Sequence, residues 1–112
     1  MAKHEVAISP VARDAIITLG QRIKVARIQR GWTIADLAAR SLISAPTIRN
    51  IEAGATGTAV GTVFHVAFLV GMPVFGIDDP AELARLRREG EDTLALLPAR
   101  VRTSRDDVDD NF

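Results

Sequence analysis

"SAPTIRNIEAG" (residues 44–54) is the stretch that decides the fold of this chain. Ser44 is a good helix-capping residue, Pro46 falls in the first turn, where a helix tolerates proline, and Gly54 is a typical helix terminator. The two isoleucines of the stretch are three residues apart, so they can face a core together. The stretch therefore predicts a short helix whose other side is free for a different task.

The residues before this stretch predict a second short helix and a tight turn. Thr33 can cap a helix of about residues 34–40, and Asp36 completes a variant of the capping box. Only residues 41–43 separate that helix from the capping residue Ser44. Two short helices joined by such a turn form a helix-turn-helix, in which the second helix lies in the DNA major groove.

Three further helices are predicted around this pair, which gives an all-α, five-helix fold. The first spans about residues 13–30, the fourth about residues 59–70, and the fifth begins near Asp78 and runs to Glu89 or beyond. The fourth is apolar on almost every side, so it needs cover from more than one direction, and a second copy of the chain can supply it. We therefore predict a homodimer with an interface formed by Val63, Phe64, Phe68 and Leu83.

Composition divides the chain into three segments. We predict a flexible N-terminal segment (1–12), a helix-turn-helix DNA-binding and dimerisation domain (13–98) and a charged C-terminal tail (99–112). The full length of 112 residues suits one domain. The formal net charge is zero, but basic residues dominate the front of the chain and acidic residues the part that follows.

Several classes of protein are not supported by the sequence. With no cysteine there is no disulfide framework and no thiolate metal site, which fits a cytoplasmic protein. The N-terminus lacks the long apolar region of a signal peptide, and glycine, proline and His65 interrupt the apolar run at residues 59–77, as in a buried helix. The two histidines have no evident ligand partners and the acids no paired nucleophile, so we expect no enzyme activity, metal or cofactor.

Residues 19–54, "LGQRIKVARIQRGWTIADLAARSLISAPTIRNIEAG", resemble the phage-repressor (Xre/Cro-like) helix-turn-helix family. The match extends to about Met72. Its features are the initial Leu-Gly, the Arg-Gly-Trp between the first two helices, Leu37-Ala38, Ser44, Ile48, Ile51-Glu52 and Gly54. The resemblance implies a sequence-specific DNA-binding transcriptional repressor and a partly buried ion pair of Arg27 with Glu52. The residues that it implies at the DNA are Thr33, Arg40, Ser44, Ala45, Pro46, Thr47, Arg49 and Asn50.

Within this set, Arg49 can donate to guanine or phosphate, Asn50 can pair with adenine, and Ser44 can reach a phosphate. Two residues depart from the family pattern. Ile34 stands where a polar residue usually contacts phosphate, and Leu42 stands at a turn position often filled by glycine, so either the turn is shifted or the strain of a positive φ is accepted. Ile34, together with the lack of lysine and arginine in the loop of residues 55–60, motivates one alternative, a protein-interaction module that has lost DNA binding.

The last residues, "LALLPARVRTSRDDVDDNF" (94–112), join a basic segment to an acidic one. They are similar to the endings of HipB-like antitoxins, small repressors that are paired with HipA-like kinase toxins. This resemblance implies a homodimer that binds its own operator and the toxin together. The alternatives are a solubilising tail and a stand-alone Xre-family regulator without a toxin. The residues predicted to hold the partner are Arg100, Arg102, Val108 and Phe112.

Overall fold

The computed structural model describes residues 7–101 and confirms the all-α, five-helix prediction. The chain folds as two compact units, of which the first ends at Asp78. The first unit holds α1 to α4 and the second holds α5. Of the predicted tail, residues 102–112 lie outside the described residues. The helices are α1 (Pro10–Gln29), α2 (Ile34–Ser41), α3 (Ala45–Glu52), α4 (Val60–Leu69) and α5 (Pro80–Ala95).

Helix α1 begins three residues before its predicted start. Ser9 caps the helix with a hydroxyl that accepts a hydrogen bond from the amide of Ala12 at 3.1 Å, and Pro10 takes the first helical position, where a missing N–H costs little. The helix therefore starts inside the segment of residues 1–12 that was predicted to be flexible. The predicted domain of residues 13–98 extends over both compact units.

Helix α2 is fixed at both ends by local hydrogen bonds. At its start the Thr33 hydroxyl accepts from the amide of Asp36 at 3.0 Å, and the Asp36 carboxylate accepts from the amide of Thr33 at 2.8 Å, which is a complete capping box. The hydrogen bond from the amide of Thr33 is the main cause that holds the pKa of the Asp36 carboxyl below its ordinary value, and the Thr33 side chain adds to it. At its end the amide of Leu42 donates to the carbonyl of Ala38 at 2.9 Å.

The first unit encloses a single apolar core to which each of its four helices contributes. The largest fully buried side chains come one from each helix: Ile23, Leu37, Ile48 and Val66. Burying an aliphatic side chain of this size stabilises a fold by about 1.5–3 kcal/mol. Helix α3 is thus held on its inner side, and its opposite side is left facing outward.

Helices α1 and α3 approach each other closely at a glycine. A Cβ atom placed on Gly20 would lie 2.3 Å from the carbonyl oxygen of Ile51 and 2.9 Å from that of Glu52. Any side chain here would force the two helices apart, so glycine is required for the approach rather than for a special φ. The C-terminal end of α3 therefore rests directly on the backbone of α1.

Within the described residues, the second unit contains the helix α5. Asp79 caps this helix through its carboxylate, which accepts from the amide of Ala81 at 3.0 Å. Exposed ion pairs line the helix surface, where each is worth little: Arg85 with Glu82 and Glu89, and Arg87 with Glu91. Within residues 7–101, no helix combines the length and the apolar character needed to cross a membrane.

Candidate nucleic-acid interface

The turn that joins helices α2 and α3 contains a residue in a strained backbone conformation. Leu42 adopts the left-handed conformation with φ 61° and ψ 25°, and its side chain is 91% exposed. The amide of Ile43 donates to the hydroxyl of Ser41 at 3.1 Å, which closes the turn behind it. The turn therefore keeps its position although it has no glycine, and Leu42 bears a backbone strain of order 1 kcal/mol.

A buried ion pair anchors the end of α3 to α1. The Nε of Arg27 donates to one oxygen of Glu52 at 2.7 Å and its terminal nitrogen donates to the other at 2.9 Å. A third guanidinium nitrogen donates to the carbonyl oxygen of Trp32 at 2.8 Å. The side chains of Arg27 and Glu52 are only 9% and 5% exposed, and the hydrogen bond to Glu52 raises the pKa of Arg27 above its ordinary value.

The outward side of α3 carries the predicted DNA-contacting residues. Pro46, Arg49 and Asn50 are exposed, and their spacing of three and four residues places them on one face. Ala45 and Thr47 flank this face and are half-buried. We call these five residues the α3 surface. The opposite side of the helix carries the buried residues Ile48, Ile51 and Glu52.

The hydroxyl proton of Ser44 is already used within the cap of α3. Its hydroxyl oxygen accepts from the amide of Thr47 at 3.3 Å, and its hydroxyl proton is donated to the Oγ1 of Thr47 at 2.9 Å. Because serine has one hydroxyl proton, a contact from Ser44 to phosphate requires that this internal hydrogen bond be exchanged. The phosphate contact of Ser44 stays a prediction.

Two arginines lie over the ring of the only tryptophan in the chain. The guanidinium carbon of Arg40 is 4.3 Å from the centroid of the Trp32 ring, and that of Arg30 is 5.2 Å from it. Arg30 also donates to the carbonyl of Val70 at 2.7 Å, which holds the end of α4. Neither arginine forms an ion pair within residues 7–101, so the exposed guanidinium of Arg40 keeps donors for an anion. The sequence identified Arg40 as a candidate DNA contact, but it did not show that this arginine lies over the ring of Trp32.

The packing of Ile34 explains one departure from the family pattern. Ile34 is half-buried and packs against the core rather than standing free at the position of a phosphate contact. Thr33, the residue before it, is exposed, but its hydroxyl already serves in the capping box. At the start of α2, the Ile34 side chain and the Thr33 hydroxyl thus both stabilise the fold. A DNA contact from Thr33 stays a prediction.

The surface of the helix-turn-helix region is positively charged. Between residues 13 and 54 the structure leaves six basic residues exposed against two acids, Asp14 and Asp36. The remaining acid and base of that range, Glu52 and Arg27, neutralise each other inside the protein. An excess of exposed arginine and lysine is what attracts phosphate, independently of sequence.

The residues predicted for a dimer interface fall in both compact units. On α4, Phe68 is 38% exposed, whereas Val63 and Phe64 are half-buried. Leu83 lies in the first turns of α5, in the second unit, and is half-buried. An apolar groove of about 280 Å³ lies in the first unit, and its walls include Ile16, Leu19, Val60, Val63 and Phe64.

Of the residues predicted to bind a partner, only Arg100 is described, and it is exposed. Arg102, Val108 and Phe112 lie outside the described residues. Val101, beside Arg100, is 95% exposed. The predicted role of residues 99–112 therefore stays a prediction.

Comparison with known proteins points to the same region. Residues 23–65 match the family model described as helix-turn-helix, a span that runs from the middle of α1 through α2, the turn and α3 into α4. The match covers less than half of the chain and supports a DNA-binding transcription regulator of the Xre/Cro-like type. Neither the curated proteins nor the solved structures give a match.

Proposed function

We propose that this protein is a sequence-specific transcriptional repressor that binds operator DNA through the α3 surface. The observation that carries the proposal is the way α3 is held: the core and the Arg27–Glu52 pair fix its inner side, while Pro46, Arg49 and Asn50 stay exposed. A recognition helix needs this rigidity, because base contacts depend on positions defined to a fraction of an ångström. The match of residues 23–65 supports the same proposal.

The exposed side chains suggest a division of work between bases and backbone. Arg49 has a planar set of donors that fits the two acceptors of guanine, and Asn50 has the donor and acceptor that fit adenine. Arg40, oriented by the ring of Trp32, is suited to a phosphate. Binding should then fall steeply with salt concentration, since each phosphate contact releases a counterion.

The experiment that tests the proposal is a gel-shift titration against the promoter DNA of the protein's own gene. A random duplex of equal length is the control, and both are titrated at two salt concentrations. We expect tighter binding to the promoter and a loss of binding to both duplexes as salt rises. If the protein binds neither duplex at low salt, the proposal fails and the protein-interaction alternative takes its place.

We further propose that the repressor is a homodimer that uses the apolar surface of α4. Val60 is 67% exposed at the edge of the groove, and Phe68 adds a second exposed apolar side chain on the same helix. A two-fold dimer would place two α3 helices about one DNA turn, roughly 34 Å, apart, and would let them bind two half-sites.

Light scattering at micromolar concentration tests the dimer. Val60→Asp should dissociate it, because a carboxylate would be buried in an apolar contact. Ile28→Asp is a matched control, since Ile28 is a comparably exposed apolar residue (56%) on α1. A stable monomer in the unsubstituted protein, or equal effects of the two substitutions, would contradict this interface.

The most specific form of the proposal is a HipB-like antitoxin whose tail binds a HipA-like kinase toxin. Its support is the resemblance of residues 94–112 to the endings of such antitoxins, together with the exposure of Arg100 and Val101. A kinase gene beside this one, and recovery of its product by the full-length protein but more weakly by a chain truncated after Pro98, would support it. Equal recovery by both chains would leave the tail without a role in binding, and no partner at all would favour the stand-alone regulator.

A further inference from the structure

We propose that the first turn of α3 recognises the C5-methyl groups of thymine by apolar contact, and leaves hydrogen-bonded base recognition to Arg49 and Asn50. This inference rests on the proposed DNA-binding function and names the feature of the operator that the same surface would read. Two kinds of observation carry it: the hydrogen-bond donors that the first turn lacks, and the apolar groups that it presents.

The first turn of α3 has few hydrogen-bond donors left for a base. Pro46 has no backbone N–H, and the amide of Thr47 is already bound to the hydroxyl of Ser44. The hydroxyl proton of Ser44 is directed at Thr47 in turn. Within the described part of the chain, the donors without a partner in this turn are the amide of Ala45 and the hydroxyl proton of Thr47.

The groups that the first turn does present are mostly hydrocarbon. They are the methyl group of Ala45, the ring of Pro46 and the methyl group of Thr47, and of these three residues Pro46 is the exposed one. Among the edges of the four base pairs in the major groove, the apolar group is the C5-methyl of thymine. Since the N-terminal residues of the second helix contact base edges, the chemistry of this turn fits thymine best.

The polar readers lie one turn further along the same face. Arg49 is three residues beyond Pro46 and Asn50 four, so all three side chains share a face while differing in depth along the helix. A half-site should therefore combine one or two thymines, set by the first turn, with a guanine or adenine set by Arg49 or Asn50. The order of these bases depends on the docking angle and is left for selection to determine.

The first test needs no variant of the protein. Operator sites are selected with the unsubstituted protein from a random-sequence duplex library, and each thymine of the best site is then replaced by uracil, which removes only the methyl group. At one or two thymines of each half-site we expect a loss of affinity of about fourfold, the value of one buried methyl group. Thymines outside the selected site are the internal control and should show no loss.

The second test assigns the methyl contact to the first turn. In Pro46→Ala the uracil penalty should disappear at the thymine that Pro46 contacts, while Asn50→Ala should weaken binding overall and keep that penalty unchanged. Melting curves establish that these two variants and Ala45→Gly fold. A penalty that persists undiminished in both Pro46→Ala and Ala45→Gly would overturn the assignment.

The possible outcomes distinguish failure of the thymine-methyl contact from failure of the proposed DNA binding itself. Selection of a specific site that shows no uracil penalty at any thymine would overturn the methyl readout and leave DNA recognition intact. Failure to select any site, with no salt-dependent binding, would overturn the proposed function and this inference together.

Discussion

The guanidinium of Arg27 on α1 donates two hydrogen bonds, of 2.7 and 2.9 Å, to the carboxylate of Glu52, which lies 25 positions later at the end of α3. The backbones of the two helices also approach each other, at Gly20 on α1 and at Ile51 and Glu52 on α3. A short helix of eight residues has little stability of its own. The orientation of α3 is thus set by contacts with α1 as well as by the core.

Removing one member of this pair should strand the other inside the protein. We expect Arg27→Met and Glu52→Gln each to lower the free energy of unfolding by about 3–5 kcal/mol, and the double variant to lose less than the sum, because no charge is left unpaired. Urea denaturation measures all three. The exposed pair Arg87–Glu91 on α5 is the control and should show losses of about 1 kcal/mol or less. Strict additivity at Arg27 and Glu52 would mean that the two residues are not coupled.

The contact at Gly20 makes a second prediction about stability. Gly20→Ala should destabilise the fold by about 1–3 kcal/mol, because its methyl group would collide with the carbonyl oxygens of Ile51 and Glu52. Gly61→Ala is a matched control, since a Cβ there meets nothing within 4 Å and alanine favours the helix by about 0.5–1 kcal/mol. Thermal unfolding of the two variants should shift in opposite directions. A shift in the same direction would contradict the close approach of α1 to α3.

The strain at Leu42 predicts a stabilising substitution. Leu42→Gly should raise the free energy of unfolding by up to about 1 kcal/mol, because the left-handed conformation costs a leucine more than the added chain entropy costs a glycine. The side chain is 91% exposed, so its removal forfeits little burial. Leu94→Gly, at an exposed leucine in the last turn of α5, should instead destabilise, by at most about 1 kcal/mol. Equal losses in the two variants would show that Leu42 is not strained.

The capping box predicts how one contribution to stability depends on pH. The folded state lowers the pKa of Asp36, so the contribution is present at pH values above the unfolded pKa of about 3.9 and is lost as the pH falls through the lower, folded value. The difference in unfolding free energy between the unsubstituted protein and Asp36→Ala should therefore shrink in acid. Asp92→Ala, in the later turns of α5, is the control. A difference that stays constant between pH 7 and pH 3 would contradict the role of the ionised carboxylate.

Much of the fold could be predicted because its signals are local. The caps Thr33 and Ser44, the early Pro46 and the terminating Gly54 mark helix ends within a few residues, and the helices α2 and α3 lie almost where these signals put them. The start of α1 was placed too late because Ser9-Pro10 also suits a loop. Only the helix that follows shows that the pair serves as a cap and a first residue.

The details of the candidate site depended on contacts between elements, which no local pattern records. Ile34 packs against the core, and the guanidinium of Arg40 near the end of α2 lies over the ring of Trp32, which precedes that helix. The hydrogen bond that the Ser44 hydroxyl donates likewise depends on the rotamer of Thr47, whose Oγ1 accepts it. A sequence gives the residue types at such a site but not how their donors are already used.

Substitutions on the helix-turn-helix should separate base contacts from phosphate contacts. Arg49→Ala and Asn50→Ala should each weaken binding to the selected site by about 1–3 kcal/mol and change binding to random DNA little, as loss of a bidentate base contact would. Arg40→Ala should weaken both kinds of binding alike and reduce the slope of log K against log salt by about 1. Arg88→Ala removes the same charge from α5, outside the matched segment, and should leave that slope unchanged. Equal losses on specific and random DNA in Arg49→Ala would move Arg49 from guanine to phosphate, whereas unchanged binding in Arg40→Ala, Arg49→Ala and Asn50→Ala would mean that α3 does not read DNA.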